Sequence, residues 1–374
     1  SIRNAIWVML FVVAWIAIGI YSYQKLTIDA VPDITNVQVQ INSQANGFTA
    51  LEVEQRITYP IENAMSGMSN LEQTRSVSRY GLSQVTIIFK DGTDIYWARQ
   101  LINQRLQEAK SALPENVEPQ MSPISTGLGE IYQWVIKAQP NAKKPDGTPY
   151  TAMDLREIQD WIVRPQLQRV EGVAEVNSIG GYEKTYIVAP DLTRLQQIQI
   201  SVAELEQALQ DNNGNRGAGF IEDNGQQLTV RVPGLLSSIQ DIENVTISTK
   251  NGLPIRVSDV ALVSIGHDLR TGGATYNGEE TVLGTAMMMM GENSKSVAQA
   301  VDQKVQAIQQ SLPKGVVIET VYDRSHLVDK AIKTVAKNLV EGAILVIVIL
   351  FIFLGNFRAA LITACVIPLS MLFT

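Results

Sequence analysis

Two long apolar segments lie near the ends of the chain, and a mostly polar stretch, residues 22–342, separates them. The first segment covers residues 5–21 and the second residues 343–354, and a third, residues 359–373, follows the short loop 355–358. About 20 apolar residues in an α-helix cross the roughly 30 Å hydrocarbon core of a bilayer. The pattern therefore predicts a membrane protein with a large extramembrane domain between its first and second spans.

The first apolar segment is predicted to be a retained membrane anchor. Its apolar core is longer than the roughly 7–15 residues of a signal peptide, and no small-residue cleavage site follows it. The sequence begins with Ser1 and stops inside the third apolar segment at Thr374, so we expect it to be part of a longer chain. Basic residues flank the spans on both sides, and the positive-inside rule therefore does not decide the orientation.

The composition excludes several classes of function. The only cysteine, Cys365, lies in the third apolar segment, so the large domain has neither disulfides nor a thiolate metal site. A formal net charge of −7 argues against a nucleic-acid partner. The glycine-rich segments at 127–129 and 217–219 lack the Lys-Ser/Thr ending of a phosphate loop, and no nucleophile motif is present. We therefore predict that the protein is not an enzyme and holds no cofactor.

The first part of the large domain shows one set of alternating and helical patterns. A strand is predicted at 36–42, and a helix at 49–65 with Thr49 as its N-cap and Glu52 as the capping-box partner. A hairpin, a second helix and a short strand follow, at residues 71–79, 83–89, 93–113 and 117–121. The order β-α-β-β-α-β is that of a ferredoxin-like split βαβ unit.

A second set repeats this order but is interrupted. A strand at 130–138, a helix at 151–168 capped by Thr151, and a strand at 172–179 come first. The remaining strand, helix and strand arrive only at 281–289, 294–312 and 316–321. The intervening residues carry short strands and a helix at 202–212, which predicts an inserted α+β subdomain. A polar helical stretch, 329–339, continues into the second span and would couple the domain mechanically to the membrane.

The predicted fold class is thus an α+β membrane protein, with transmembrane helices flanking two ferredoxin-like units, the second split by an insertion. The predicted domains are transmembrane helix 1 (1–24), the first unit (25–124), the first half of the second unit (125–181), the inserted subdomain (182–271), the second half of the second unit (272–325), transmembrane helix 2 (326–354) and the start of transmembrane helix 3 (358–374).

Several segments carry a resemblance to a known family. They are DAVPDITNVQV at 29–39, YGLSQV at 80–85, FKDGTD at 89–94, GLGEIY at 127–132, DLR at 154–156, QDW at 159–161 and YDRS at 322–325. Together they make the whole chain resemble the heavy-metal efflux subfamily of resistance–nodulation–division (RND) transporters. The cobalt–zinc–cadmium exporter type fits better than the copper/silver branch.

The resemblance implies a homotrimer in the bacterial inner membrane, multi-pass, with a large periplasmic domain. The two ferredoxin-like units would be porter subdomains and the insertion a docking subdomain. The partners would be a periplasmic membrane-fusion adaptor and an outer-membrane channel. The protein would be a secondary active cation/proton antiporter for Zn, Co or Cd, and this chain its N-terminal third. The three apolar segments carry no ionisable residue near their centres. The resemblance implies a proton relay on a later span, beyond Thr374.

Two carboxylates are the candidate metal ligands. Glu130 follows Gly127, Leu128 and Gly129, which bring the backbone close and leave its carboxylate little covered. The resemblance implies an acidic residue lining the metal path near this place in zinc-type relatives. Asp160 lies late in the predicted helix 151–168, and the adjacent Trp161 predicts that it is near an apolar face. Carboxylates suit Zn²⁺ or Co²⁺ and suit Cu⁺ poorly. Two carboxylates do not complete a zinc site, so further ligands are expected from outside this sequence.

Softer ligand types are present but do not form a convincing site. Four consecutive methionines occupy 287–290, and thioethers suit Cu⁺ or Ag⁺. Because successive strand residues point to opposite faces, these four cannot converge on one ion, and we interpret them as core filler. The two histidines, His267 and His326, have no companion at ligand spacing and are interpreted as structural or surface residues.

Three alternatives to divalent-metal export stay open at this point. An RND exporter of amphiphilic organic compounds would need an aromatic, apolar cleft, whereas aromatic residues make up only 6% of the chain. An exporter of Cu or Ag would need soft ligands. A membrane-anchored periplasmic scaffold without transport would need no ionisable residue in any span, and residues after Thr374 would decide that point.

Overall fold

The structure is a computed structural model, and it describes residues 5–25, 35–125, 127–214, 216–223, 226–232, 234–250, 252–268, 270, 272–354, 358 and 362. The first part consists of α1 (Ala5–Lys25), β1 (Gln38–Gln44), α2 (Ala50–Val53), a π-helical turn (Glu54–Thr58), α3 (Tyr59–Met65), β2 (Leu71–Arg79), β3 (Leu82–Phe89), α4 (Ile95–Ala109), a 3₁₀ turn (Lys110–Ala112) and β4 (Pro119–Met121).

The sheet of this first unit has the order β2-β3-β1-β4, and its pairs are antiparallel. This is the strand order of the predicted split βαβ unit. Alternation along β1 turns Val39 and Ile41 into the core, where they meet the inward face of α4 at Ala98, Ile102 and Leu106. The helix α2 begins with the predicted capping box, because the Glu52 N–H donates to Thr49 and the Glu52 carboxylate accepts from the Thr49 N–H.

The second unit begins with a 3₁₀ turn (Gly127–Gly129), β5 (Glu130–Ala138), α5 (Ala152–Ile158), a π-helical turn (Gln159–Val163), α6 (Arg164–Leu167) and β6 (Val173–Gly180). Then come β7 (Lys184–Pro190), α7 (Leu192–Ile198), α8 (Val202–Asn212), β8 (Arg216–Asp223), β9 (Gln226–Val232), α9 (Ile239–Glu243), β10 (Thr246–Lys250), β11 (Leu253–Arg256), α10 (Val257–Val260), β12 (Ala261–His267) and β13 (Ala274–Tyr276). The chain returns through β14 (Glu279–Met288), α11 (Ser294–Gln309) and β15 (Val316–Asp323) to the long helix α12 (Arg324–Leu354).

The second sheet repeats the topology of the first. Its order is β13-β14-β5-β15, and β6 also pairs with β14. The sequence β6-β14-β5-β15 therefore corresponds to β2-β3-β1-β4. The strands β14 and β15 that complete this sheet come after the elements β7 to β12. That these elements form an inserted subdomain stays a prediction.

Both units contain a π-helical turn at the same point of their first helix. Each π turn ends two residues before a proline, Pro60 in the first unit and Pro165 in the second. Proline has no N–H to donate, and its ring clashes with the carbonyl four residues earlier. That carbonyl belongs to Arg56 or Trp161, and both lie inside a π turn. The wider turn accommodates the proline without ending the helix.

The chain forms two compact units. One contains Ser1–Gln139, Gln159–Ser178 and Leu283–Thr374, and the other Pro140–Ile158 and Ile179–Val282. Within the latter unit, α8 contributes Leu205 and Ala208 to a small core with Val245, Val257 and Val263. The domain boundaries given by the sequence remain predictions, since a compact unit is not a functional domain.

Helix α12 runs without a break from β15 into the second apolar segment, as predicted. In the described part of the chain it holds the one stretch, Arg324–Phe353, that is long and apolar enough to cross a membrane, and none of its apolar window is buried. Helix α1 contains a shorter apolar stretch, Met9–Ser22, so its role as a span remains a prediction. The third apolar segment lies almost entirely outside the described residues.

Candidate functional site

One face of strand β5 carries Glu130, Tyr132 and Trp134, because alternate residues of a strand point to the same side. Tyr132 and Trp134 are fully buried, whereas Glu130 at the start of the strand is exposed. The Tyr132 hydroxyl donates to Asp302 on α11, and the Trp134 indole donates to Gln159 in the second π turn. This face of the sheet is therefore the one that packs against helices, and Glu130 lies at its end.

The backbone that leads into Glu130 is held on two sides. A Cβ added to the buried Gly129 would lie 3.0 Å from the carbonyl oxygen of Met288 on β14. Arg324, at the start of α12, donates from Nη1 to the carbonyl of Leu128. The Glu130 side chain accepts a hydrogen bond from Gln133 Nε2 over 3.0 Å. The result is an exposed carboxylate on a fixed backbone, which is a suitable ligand for a divalent cation.

Asp160 is the second residue of the π turn Gln159–Val163 and is half-buried. Ser178 on β6 donates from Oγ to Asp160 Oδ1 over 2.6 Å, and Gln159 Nε2 donates to the same Ser178 Oγ over 3.2 Å. The carboxylate is thus connected to the interior through two polar side chains. Trp161 is 79% exposed, so the apolar side chain beside Asp160 lies at the surface and not in the core.

Tyr132 is kept neutral by its surroundings. Burial raises the pKa of the Tyr132 phenol, and the hydrogen bond to the Asp302 carboxylate raises it further. The Thr320 hydroxyl, 2.6 Å from the phenol oxygen, has the opposite effect on this pKa. Tyr132 therefore acts as a hydrogen-bond donor inside the domain and ties β5 to α11.

The methionine run is divided between the interior and the surface. Met287 and Met288 are buried at the end of β14, whereas Met289 is 40% exposed. The interpretation as core filler is confirmed for the first two. Of the histidines, His267 stacks against Tyr182 at a centroid distance of 4.8 Å, and the exposed His326 lies 3.5 Å from an Asp323 oxygen. Among the described residues, no group of three or more His, Cys, Asp or Glu side chains is arranged to hold a metal ion.

Sequence reasoning missed a polar cleft in the compact unit that contains Ser1–Gln139 and Gln159–Ser178. Its volume is about 620 Å³, and amide side chains dominate its lining. The charged lining residues are Glu118, Arg164 and Glu175. The only cue in the sequence was the polar side chains at alternate positions of β6, of which Glu175 and Asn177 reach the cleft. Such a surface suits polar or ionic contents and does not suit an amphiphilic organic compound.

The sequence is similar to metal-resistance proteins along nearly its whole length. It is 62% identical over 369 residues to the cation efflux system protein CzcA of Alcaligenes sp. (strain CT14), with 98% of this chain and 35% of that protein covered. Identity and coverage are the same for the cobalt-zinc-cadmium resistance protein CzcA of Cupriavidus metallidurans. The cation efflux system protein CusA of Escherichia coli (strain K12) is 36% identical, with 97% of this chain and 34% of that protein covered. The chain thus spans about a third of the length of these relatives.

The fold agrees with this similarity. A crystal structure of a heavy metal efflux pump matches with a TM-score of 0.85 and 34% identity, covering 98% of this chain and 36% of that one. The sequence pattern of the AcrB/AcrD/AcrF family matches residues 1–374. The chain therefore belongs to the AcrB/AcrD/AcrF family of RND proteins, as its resemblance to the heavy-metal branch predicted.

Proposed function

We propose that this chain is the N-terminal third of a proton-driven exporter of divalent heavy-metal cations, with Zn²⁺, Co²⁺ and Cd²⁺ as substrates. The observation that carries the proposal is the 62% identity, over 98% of the chain, to proteins of cobalt-zinc-cadmium resistance. The lower identity to CusA, 36%, makes a copper or silver exporter the weaker choice. The exporter is a secondary active transporter and not an enzyme.

The two βαββαβ units serve as porter subdomains in this proposal, and the inserted elements β7 to β12 as a docking subdomain. Helices α1 and α12 are the first and second spans in the bacterial inner membrane, and the large domain is periplasmic. The whole protein works as a homotrimer with a periplasmic membrane-fusion adaptor and an outer-membrane channel. Family membership and the matching pump structure support this arrangement. The unbroken helix α12 connects the second unit to the membrane.

Glu130 and Asp160 contribute two of the contacts of the transported ion. Both carboxylates belong to the second unit, the exposed Glu130 at the start of β5 and Asp160 hydrogen-bonded to Ser178 on β6. Hard oxygen ligands favour Zn²⁺ and Co²⁺ over Cu⁺. The remaining ligands come from the rest of the exporter. A transport site is expected to bind the ion only loosely, because the ion must also leave.

Transport by the full-length protein tests the proposal. The protein is reconstituted in vesicles, a proton gradient is imposed, and uptake of Zn²⁺, Co²⁺, Cd²⁺ and Cu⁺ is measured. Uptake of the divalent ions that depends on the gradient is the expected result. Uptake of Cu⁺ alone, or of no ion, contradicts the proposal.

Glu130→Gln is expected to raise the half-saturating Zn²⁺ concentration by roughly tenfold, or ~1.4 kcal/mol of cation binding. The substitution keeps the shape and the acceptor for Gln133 but removes the charge that attracts the ion. The measurement is Zn²⁺ uptake by vesicles, with the trimer checked by size-exclusion chromatography.

Glu72→Gln is the matched control, since Glu72 is an exposed strand glutamate of the first unit. It should leave the Zn²⁺ dependence unchanged. Unchanged uptake by Glu130→Gln would remove Glu130 from the ion path.

A further inference from the structure

A chain of hydrogen bonds that begins deep in the core reaches Asp160. Trp134 Nε1 donates to Gln159 Oε1 over 3.0 Å, Gln159 Nε2 donates to Ser178 Oγ over 3.2 Å, and Ser178 Oγ donates to Asp160 Oδ1 over 2.6 Å. Trp134 and Gln159 are both fully buried. The chain therefore connects a rigid interior to a half-buried carboxylate.

The chemistry of the first donor fixes the direction of the whole chain. An indole N–H can only donate, so the side chain of Gln159 must present its oxygen to Trp134. The amide nitrogen of Gln159 then points to Ser178 and occupies the Ser178 oxygen as an acceptor. Ser178 is left to direct its own hydrogen to Asp160. No member can reverse without breaking a hydrogen bond, and a buried polar group without a partner costs about 1–3 kcal/mol.

The position of the indole is itself fixed by packing. A Cβ added to Gly284, on the neighbouring strand β14, would lie 2.2–2.5 Å from three atoms of the Trp134 ring. The absence of a side chain at Gly284 is therefore what makes room for the indole. The π turn before Pro165 places Gln159 and Asp160 in succession, one at the buried indole and the other at Ser178. The π turn, the packing of the indole and the direction of the hydrogen bonds together determine that Asp160 Oδ1 accepts from Ser178.

We propose that Trp134, Gln159 and Ser178 form a directional hydrogen-bond relay that positions the Asp160 carboxylate for contact with the transported cation. Trp134, Gln159 and Ser178 are positioning residues, because they act on the ion only through Asp160. The inference rests on the proposed function in one respect, the role of Asp160 in the ion path. Partners of metal-binding carboxylates typically affect affinity by about 10–100-fold when they are removed.

The first unit also has a polar network at its π turn, but the donors and acceptors in that network are not fixed. Thr58 Oγ1 lies 2.8 Å from Ser78 Oγ and 2.7 Å from Ser83 Oγ. Every member is a hydroxyl, which can donate or accept, so no hydrogen position is fixed. No carboxylate is among these three residues. Ser83, which is fully buried, offers a matched control for the loss of a buried hydroxyl.

The relay is tested in the full-length protein by two disrupting substitutions, Ser178→Ala and Gln159→Glu, and two controls, Ser178→Thr and Ser83→Ala. Ser178→Ala removes the final donor. Gln159→Glu is nearly isosteric but accepts from both neighbours, so Ser178 would turn its hydrogen away from Asp160. Both variants are expected to raise the half-saturating Zn²⁺ concentration of vesicle uptake by about tenfold, while the maximal rate changes little. Ser178→Thr keeps the hydroxyl and is expected to restore the wild-type value, and Ser83→Ala is expected to leave it unchanged.

Each outcome decides between the relay and the role of Asp160. If Asp160→Asn weakens Zn²⁺ uptake but Ser178→Ala and Gln159→Glu do not, the relay is wrong and the proposed function stands. If Asp160→Asn itself has no effect, Asp160 is not in the ion path and the relay loses its role, while Glu130→Gln still reports on the proposed function. If Ser178→Ala and Ser83→Ala weaken uptake equally, the effect is one of packing and the relay is wrong.

Discussion

Gly284→Ala is expected to be among the most destabilising single-methyl changes in the second unit, by about 3 kcal/mol. The added Cβ would lie 2.2 Å from Cε2 and 2.5 Å from Nε1 of Trp134, far inside van der Waals contact. The indole cannot move aside, because it is fully buried and its Nε1 is hydrogen-bonded to Gln159. Thermal unfolding of the purified full-length protein, followed by circular dichroism, should show a midpoint lowered by several degrees.

Gly214→Ala makes the same chemical change where nothing lies within 4 Å of the added Cβ. This control should leave the midpoint unchanged or raise it slightly, because alanine restricts the unfolded chain. Equal midpoints for the two variants would contradict the packing argument.

Gly284→Ala is also expected to affect Zn²⁺ uptake, because displacement of the indole breaks the first hydrogen bond of the relay. Gly284→Ala protein that remains folded should therefore also need more Zn²⁺ for half-saturation.

Much of this architecture could be predicted from local sequence patterns. Thr49 and Glu52 mark the start of α2, and the predicted strand 130–138 has the bounds of β5. Such features depend on residues within a few positions of one another, where alternation and capping rules are reliable. The late arrival of β14 predicted the insertion because the order of elements repeats along the chain.

The π turns could not be predicted in the same way. The sequence predicted single helices at 49–65 and 151–168, and the prolines inside them were compatible with a kink, an early end or a wider turn. The structure selects the wider turn in both units. The choice depends on packing, since Thr58 in one turn and Gln159 in the other hydrogen-bond to buried partners on the sheet.

Candidate site residues could be chosen one by one from the sequence, but the hydrogen-bond network around them could not. Glu130 and Asp160 were recognisable because their neighbours matched motifs of a family. The relay joins Trp134 to Gln159 and Gln159 to Ser178, which are 25 and 19 positions apart in sequence. No periodic pattern links such residues, because only the packing of the π turn against β5 and β6 brings them together. Trp161 shows the same limit, since it was used to predict an apolar face near Asp160 and its own side chain is 79% exposed.

The double variant Glu130→Gln/Asp160→Asn is expected to reduce Zn²⁺ transport at low concentration by roughly 100-fold. Each single substitution removes one negative oxygen ligand, and losses of about tenfold each add in free energy when two sites act independently. The additive value applies if the two carboxylates contact the ion separately. They lie on different elements, β5 and the second π turn. Uptake by vesicles at a Zn²⁺ concentration below half-saturation measures the effect.

The double control Glu72→Gln/Glu108→Gln changes the net charge of the domain equally at two exposed positions. It should leave uptake unchanged, which excludes a general loss of cation attraction to a chain of formal charge −7. A double variant no weaker than the worse single variant would show that the two carboxylates bind one ion as a unit. A double variant with wild-type uptake would mean that neither carboxylate contacts the ion. Any ion path would then have to run through ligands supplied by the rest of the full-length protein, and Glu130 and Asp160 would be structural.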